Sequence, residues 1–169
     1  VGSFTGAKGG GEVGFNAVMR ARRGRSLEGT RAIQQVSNLR ARNISVCCCI
    51  NKERLVYYAA QTRPYNGHSF KDFLDQLIQK LEELNIQRAS FILDNVPFHK
   101  GNAVMDGVEQ AGHSLMFLLP YSPFLNPIEN MFSRWKQGVR AVRPANEEEL
   151  MQHIFNGAGH ITSEDCGGY

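Results

Sequence analysis

Two carboxylates stand out because of the positions they occupy along the chain. Asp94 directly follows "ASFIL" (89–93), a short apolar run typical of a buried strand, and Glu129 follows the Asn-Pro pair that begins an amphipathic pattern. Ligand sites of open α/β sheets collect at the carboxyl ends of strands, so both acids are expected to face one cleft. Such a pair suits a hard, oxygen-preferring cation such as Mg²⁺. Asp94 and Glu129 are therefore candidate metal ligands and catalytic residues.

Each acid also has a purely structural interpretation. Glu129 lies three residues after Asn126, the spacing of a capping box at a helix start, with Pro127 at the first helical position. Asp94 could be an ordinary turn residue after its strand. The spacing of these residues does not by itself separate the two interpretations.

The periodic spacing of apolar residues predicts the helices and strands that must position these acids. The strongest pattern predicts a helix that Ser69 and Asp72 begin as a capping box. Its apolar residues recur at the helical period: Phe70, Phe73, Leu74, Leu77, Ile78, Leu81 and Leu84. Further helices are predicted over 100–110, from Asn126 and from Asn146. Segments 43–50 and 54–62 predict a β-hairpin, and "SLMFLL" (114–119) predicts a strand beside 89–93.

This order of elements predicts an α/β fold with a five-stranded mixed sheet flanked by helices. The first segment, 1–14, is rich in glycine and is expected to be a loop or a weakened first strand, whereas 15–169 forms the main domain. A chain of 169 residues fits one domain overall.

Composition excludes several classes of protein. The apolar runs 46–50 and 115–119 are far shorter than the ~20 residues that span a bilayer, and 1–11 lacks the apolar core of a signal peptide. The cysteines at 47, 48, 49 and 166 match neither a disulfide framework nor a zinc spacing. We expect an intracellular protein, nuclear or cytoplasmic, without a membrane partner. Its net charge of +3 permits a nucleic-acid partner.

Two motifs together resemble the mariner-type superfamily of DDE transposases and integrases. They are "ILDNVPFHK" around Asp94 and "LLPYSPFLNPIENMFSRWK" around Glu129, and the interval between the two acids, 95–128, has the family's length. The segments "GFNAVMRARRGRSLEGTRA" and "YNGHSFKDFLDQL" also look like the family's text. The resemblance therefore extends from Glu12 to about Phe155.

What the resemblance implies is a ribonuclease H-like catalytic domain that cleaves DNA and transfers strands with two Mg²⁺ or Mn²⁺ ions. Asp94 then matches the second acid of the family's triad and Glu129 the third. The implied partner is DNA, both transposon ends and target, and a homodimer is compatible with the resemblance. The family's paired helix-turn-helix region, which reads terminal repeats, has no counterpart in this sequence, so we expect no sequence-specific choice of DNA.

One departure from the family concerns the first acid of the triad. Family members read "FIDE-x-GF", whereas this chain reads "GGGEVGF", so Gly11 stands where the first Asp belongs. Glu12 is a possible substitute, but neighbouring strand residues point to opposite faces unless the register shifts. The resemblance therefore predicts a weak or inactive nuclease.

Basic residues provide candidate DNA contacts. The arginines lie in "RARRGR", and two more candidates follow Asp94; together they are Arg20, Arg22, Arg23, Arg25, His99 and Lys100. His99 could instead cap the next helix, and a charge run is often only a solvated loop.

Three classes of function remain. The first is a transposase catalytic domain impaired at its first acid. The second is a host-adopted or remnant derivative with a non-catalytic role in binding DNA or protein. The third, an unrelated ribonuclease H-like nuclease, is disfavoured by the spacing and by "SPFLNPIEN".

Overall fold

The computed structural model describes residues 7–15, 43–94, 97–119 and 128–166. In these residues the strands are β1 (Ala7–Phe15), β2 (Ile44–Ile50), β3 (Leu55–Gln61), β4 (Ser90–Leu93) and β5 (Ser114–Phe117). The helices are α1 (Gly67–Glu83), α2 (Asn102–Gln110), α3 (Ile128–Ala141), α4 (Glu147–Ala158) and the short α5 (Ser163–Cys166). A single 3₁₀ turn covers Pro97–Lys100. The predicted α/β class is confirmed.

The described strands form a mixed sheet in the order β3-β2-β1-β4-β5. The hairpin β2–β3 is antiparallel, and β2 is antiparallel to β1. On the other side, β1 is parallel to β4 and β4 is parallel to β5, so 89–93 and 114–119 contribute adjacent parallel strands as predicted. The carboxyl ends of β1, β4 and β5 consequently point the same way.

The glycine-rich start of the chain forms the central strand. β1 pairs with β2 without interruption from Gly10 to Phe15, whereas its register against β4 shifts between Ala7 and Gly10. The strand also runs to Phe15, one residue past the predicted boundary at 14. Thus the segment expected to be a loop or a weakened strand is extended, with its irregularity on the β4 side.

Helices cover both faces of the sheet. On the face covered by α1, here called the α1 face, Cys47, Cys49, Phe91 and Leu93 pack against the apolar side of that helix. On the opposite face, the α3 face, Phe15 and Cys48 belong to a cluster with the buried residues of α3 and α4. The alternation along β2 is what a strand buried on both sides requires, and all seven of its residues are buried.

The beginning of α1 differs from the prediction. Asn66, not Ser69, is the N-cap: its side chain accepts hydrogen bonds from the backbone N–H groups of His68 and Ser69. Ser69 is the third helical residue, and its hydroxyl accepts from the N–H of Asn66 to complete a capping box. The helix starts a turn earlier because an asparagine amide oxygen caps as well as a serine hydroxyl.

Other predicted boundaries are close to the structure. The helix predicted over 100–110 divides into the 3₁₀ turn and α2, and Gly112, with φ 79°, follows its end. Asn146 caps α4 by accepting from the N–H of Glu149. The predicted cap of α3 at Asn126 and Pro127 lies outside the described residues. Among the described helices, none is both long and apolar enough to cross a bilayer.

Candidate active site

Asp94 lies at the carboxyl end of β4, where the predicted cleft should be. Its side chain is 41% exposed, so part of the carboxylate faces solvent. One oxygen, Oδ1, has almost no solvent-accessible surface and lies 2.7 Å from Nδ1 of His99. The carboxylate therefore has one oxygen turned into the protein, which leaves Oδ2 as the oxygen on the open side.

Glu129 is in the first turn of α3, and its side chain is on the exposed side of that helix. The pKa of its carboxyl is raised, first because protein around it removes part of its hydration, and then because the charge of Asp94 repels a second negative charge. Lys136 acts in the opposite direction. The two predicted acids are thus close enough to influence each other electrostatically, as a shared cleft requires.

The register of β1 shows which strand positions lie beside these acids. Gly10 is paired with Leu93 of β4, and the next residues on the two strands are Gly11 and Asp94. On its other side, Gly11 is paired with Cys48, whose side chain packs on the α3 face. Directly paired residues share a face of the sheet, so position 11 belongs to the α3 face.

Glu129 also influences Cys48. Burial raises the pKa of this thiol well above its ordinary value, three neighbouring cysteines add to the shift, and the Glu129 carboxylate contributes as well. Position 11 is therefore bordered by Asp94 on one side and by a residue within electrostatic reach of Glu129 on the other. Glu12 is paired with Cys47, which packs on the α1 face, so the register assigns position 12 to the opposite face.

The burial of His99 favours a structural role, one of its two predicted roles, over a DNA contact. Its side chain is 1% exposed, and its ring lies 4.2 Å from the ring of Phe70, centroid to centroid. A buried ring beneath Asp94 is not on a surface that a duplex could contact. Lys100 is exposed, with Nζ 5.6 Å from the centre of the Phe117 ring. The four arginines between 20 and 25 lie outside the described residues.

Lys136 is a residue near the site that the sequence patterns did not single out. It lies seven residues after Glu129, which is two turns along the same side of α3. Partial burial lowers the pKa of its ammonium, the charge of Arg140 lowers it further, and Glu129 raises it. The seven-residue interval between Glu129 and Lys136 can be read from the sequence. The structure is needed to show that both residues lie toward the exposed side of α3.

The donor atoms can be compared with those that Mg²⁺ prefers. In the part of the chain that the structure describes, no three His, Cys, Asp or Glu side chains are grouped closely enough to hold a metal ion. Asp94 and Glu129 nevertheless provide carboxylate oxygens facing solvent, and a single Mg²⁺ is often held by one or two carboxylates with water completing its shell. The oxygen ligands of Asp94 and Glu129 are of the type that one Mg²⁺ ion prefers, whereas a site for two ions needs more ligands.

Known proteins are similar to this chain in sequence family and in fold. Residues 11–151 match the family model described as DDE superfamily endonuclease. None of the curated proteins compared with the sequence matches it. Among solved structures, a Mos1 transposase paired-end complex with a left transposon end has a TM-score of 0.65 at 18% identity over 94% of this chain and 53% of that one.

Two further Mos1 structures are similar to this chain. The Mos1 mariner paired-end complex with Mn gives a TM-score of 0.64 at 19% identity, covering 94% of this chain and 53% of that chain. The catalytic domain of Mos1 mariner transposase gives 0.51 at 19% identity over 76% of each chain. At such identities the likeness is one of fold, and this chain spans about half the length of the Mos1 chains in the paired-end complexes.

Proposed function

Because this chain belongs to the DDE superfamily endonuclease family, we propose that it is a transposase-like catalytic domain with a ribonuclease H-like fold, impaired by loss of its first acid. The observation that carries the proposal is the register around Gly11, which has Asp94 as its neighbour on β4 and Cys48, near Glu129, as its pair on β2. An aspartate at position 11 would add a third carboxylate beside Asp94.

The role of Asp94 and Glu129 is to supply negatively charged oxygens to a cation. When bound, Mg²⁺ or Mn²⁺ would polarise a phosphate oxygen and lower the pKa of a bound water. Structures of Mos1 have been solved with Mn and with Mg, which supports this choice of ions. The pKa of Glu129 is raised first by loss of hydration and then by the charge of Asp94, so a cation between the two carboxylates would relieve the second effect.

The substrate is DNA in this proposal. Its phosphodiester would be attacked in line by water or by a DNA 3′-hydroxyl, which forms a new P–O bond while the bond to the departing O3′ breaks. Lys136 lies on the Glu129 side of α3 and is suited to hold a phosphate oxygen beside the reacting one. Lys100 and the arginines at 20, 22, 23 and 25 remain proposed backbone contacts, and His99 is better suited to support Asp94.

A second candidate function is non-catalytic binding of DNA, as in a host-adopted or remnant domain. It is favoured by the same vacancy at position 11, since two acids neutralise less of a cation's charge than three. Position 12 is a poor replacement because its pairing partner, Cys47, packs on the α1 face. Both candidates predict binding to duplex DNA, and a dimer is compatible with either.

Binding to a labelled duplex at several salt concentrations tests the part that both candidates share. We expect binding with an affinity that falls steeply as salt rises. The variant in which Arg20, Arg22, Arg23 and Arg25 are replaced by alanine should show a shallower slope, by about 0.9 for each phosphate that the protein no longer neutralises. No binding at low salt would contradict both candidates, and nicking of the duplex then separates the catalytic one from the other.

A further inference from the structure

His99 is buried and contacts Asp94, an acid of the candidate active site, from inside the protein. Its Nδ1 is 2.7 Å from Oδ1 of Asp94 and 3.4 Å from the backbone oxygen of the same residue. The 2.7 Å contact with Oδ1 is a close approach without hydrogen-bond geometry, whereas the 3.4 Å contact with the backbone oxygen is a hydrogen bond. A carbonyl oxygen can only accept, so Nδ1 carries the proton. The imidazole ring of His99 is therefore a hydrogen-bond donor to Asp94, the residue that follows β4.

The ring that carries this donor is itself held in place. Phe70 lies in the first turn of α1 and is completely buried, and its ring lies against that of His99 at an angle of 35°. His99 also belongs to the 3₁₀ turn that closely follows Asp94. A donor fixed by packing on one side and by a short chain connection on the other has little freedom to follow a moving carboxylate.

We propose that His99 is a positioning residue for Asp94: its Nδ1–H donates to the backbone oxygen of Asp94, and its ring lies close against Oδ1. The ring thereby keeps Oδ1 in the protein and directs Oδ2 toward the cation that the site would bind. The cation part of this inference rests on the proposed function. The contact between His99 and Asp94 stands on the geometry alone. Outer partners that orient a ligating residue typically contribute about 10–100-fold to metal affinity or activity.

The hydrogen bond can be tested without metal by NMR of ¹⁵N-histidine-labelled protein. His113 provides an internal control, because its Nδ1 accepts a hydrogen bond from the N–H of Ala89 and must therefore lack a proton. We expect His99 to be protonated at Nδ1 and His113 at Nε2. The Nδ1–H signal of His99 should shift or vanish in Asp94→Ala, while the signals of His113 stay unchanged. An unprotonated Nδ1 on His99, or no response to Asp94→Ala, would overturn the proposal.

Two substitutions separate the hydrogen bond from the packing. His99→Phe keeps a ring against Phe70 but removes the donor, whereas His99→Asn loses the ring but keeps an N–H near the position of Nδ1. In the otherwise unchanged chain and in Gly11→Asp, calorimetry should show Mn²⁺ binding weakened about 10–100-fold by His99→Phe and largely retained in His99→Asn. The melting temperature of the metal-free protein should fall more in His99→Asn, because that variant loses the packing.

The outcomes distinguish the positioning role from the metal site. Equal Mn²⁺ affinity in His99→Phe and its parent would overturn the positioning role even if the metal site exists. Absence of Mn²⁺ binding in both parents would contradict the proposed metal site and with it the cation part of this inference. The NMR result decides separately whether His99 holds Asp94.

Discussion

Gly11 of β1 is paired with Cys48 of β2, the buried thiol whose pKa the Glu129 carboxylate helps to raise. The same glycine follows Gly10, which is paired with Leu93, so its neighbour on β4 is Asp94. A residue without a side chain is thus the neighbour of Asp94 on β1 and the pair of a thiol that Glu129 influences. This relationship supports the proposed absence of the first acid of a triad, which the family resemblance suggested.

Glu129→Gln should stabilise the metal-free protein. The pKa of Glu129 is raised in the folded state, so the folded protein holds its proton more tightly than the unfolded chain does. The free energy of unfolding therefore falls as pH rises through the window between the unfolded and folded pKa values, and the penalty is complete above the folded value. Since this carboxylate is exposed, we expect the gain in Glu129→Gln to stay below about 1 kcal/mol.

Urea unfolding at several pH values measures this effect. The advantage of Glu129→Gln should be largest at neutral pH and should disappear in acid, where the wild-type carboxyl is protonated as well. Glu53→Gln is a suitable comparison because Glu53 is exposed in the turn between β2 and β3, on the far side of the sheet from Asp94. A wild type that is more stable than Glu129→Gln at neutral pH would contradict the raised pKa of Glu129.

Gly157→Ala should destabilise the packing of α4 against α3. A Cβ at this position would lie 2.7 Å from Nε1 of Trp135, the atom that donates a hydrogen bond to the backbone oxygen of Ile154. The indole of Trp135 would have to move. Overpacking of this kind typically lowers the free energy of unfolding by about 1–3 kcal/mol. The measurement is the free energy of unfolding from a urea titration.

Gly138→Ala on α3 is the matched control for that experiment. A Cβ there meets nothing within 4 Å, so the substitution should stabilise by about 0.4–1 kcal/mol through the unfolded state. Equal effects of the two substitutions would show that Trp135 does not limit the space at position 157.

Lys136→Met should weaken DNA binding by removing the proposed phosphate contact. The substitution keeps the apolar stem of the side chain and removes its charge beside Glu129. We expect the salt slope of duplex binding to decrease by about 0.9, the value for a single phosphate. Lys80→Met is the control, because Lys80 lies on α1 and is paired with Glu83 at 2.8 Å. A salt slope that changes equally in both variants would remove Lys136 from the interface.

The sequence was sufficient for the elements that depend on local patterns. The helical period between Phe70 and Leu81 predicted α1, and the alternation of short apolar runs with turns predicted β4 beside β5. The position of Asp94 at a strand end followed from the same pattern. These predictions succeeded because hydrophobic period and turn residues are read from neighbours in the chain.

Features that depend on distant parts of the chain were not predictable in the same way. The burial of His99 depends on Phe70, which comes from another helix, so its motif alone suggested DNA contact as well as a helix cap. Lys136 could be assigned to the site only once the structure showed which side of α3 is exposed. The resemblance to a family predicted that the first acid is missing at Gly11, whereas only the pairing with Cys48 connects that position to Glu129.

The central claim is tested most directly by Mn²⁺ calorimetry and duplex nicking with the wild type, Gly11→Asp, and Gly11→Asp combined with Glu129→Gln. We expect the wild type to bind weakly and to nick little or not at all, and Gly11→Asp to gain at least about 10-fold in Mn²⁺ affinity, by analogy with loss of a supporting ligand. Adding Glu129→Gln should remove that gain. If the wild type cleaves as well as Gly11→Asp and still depends on Glu129, position 11 is not the vacant one and another acid, such as Glu12, completes the site.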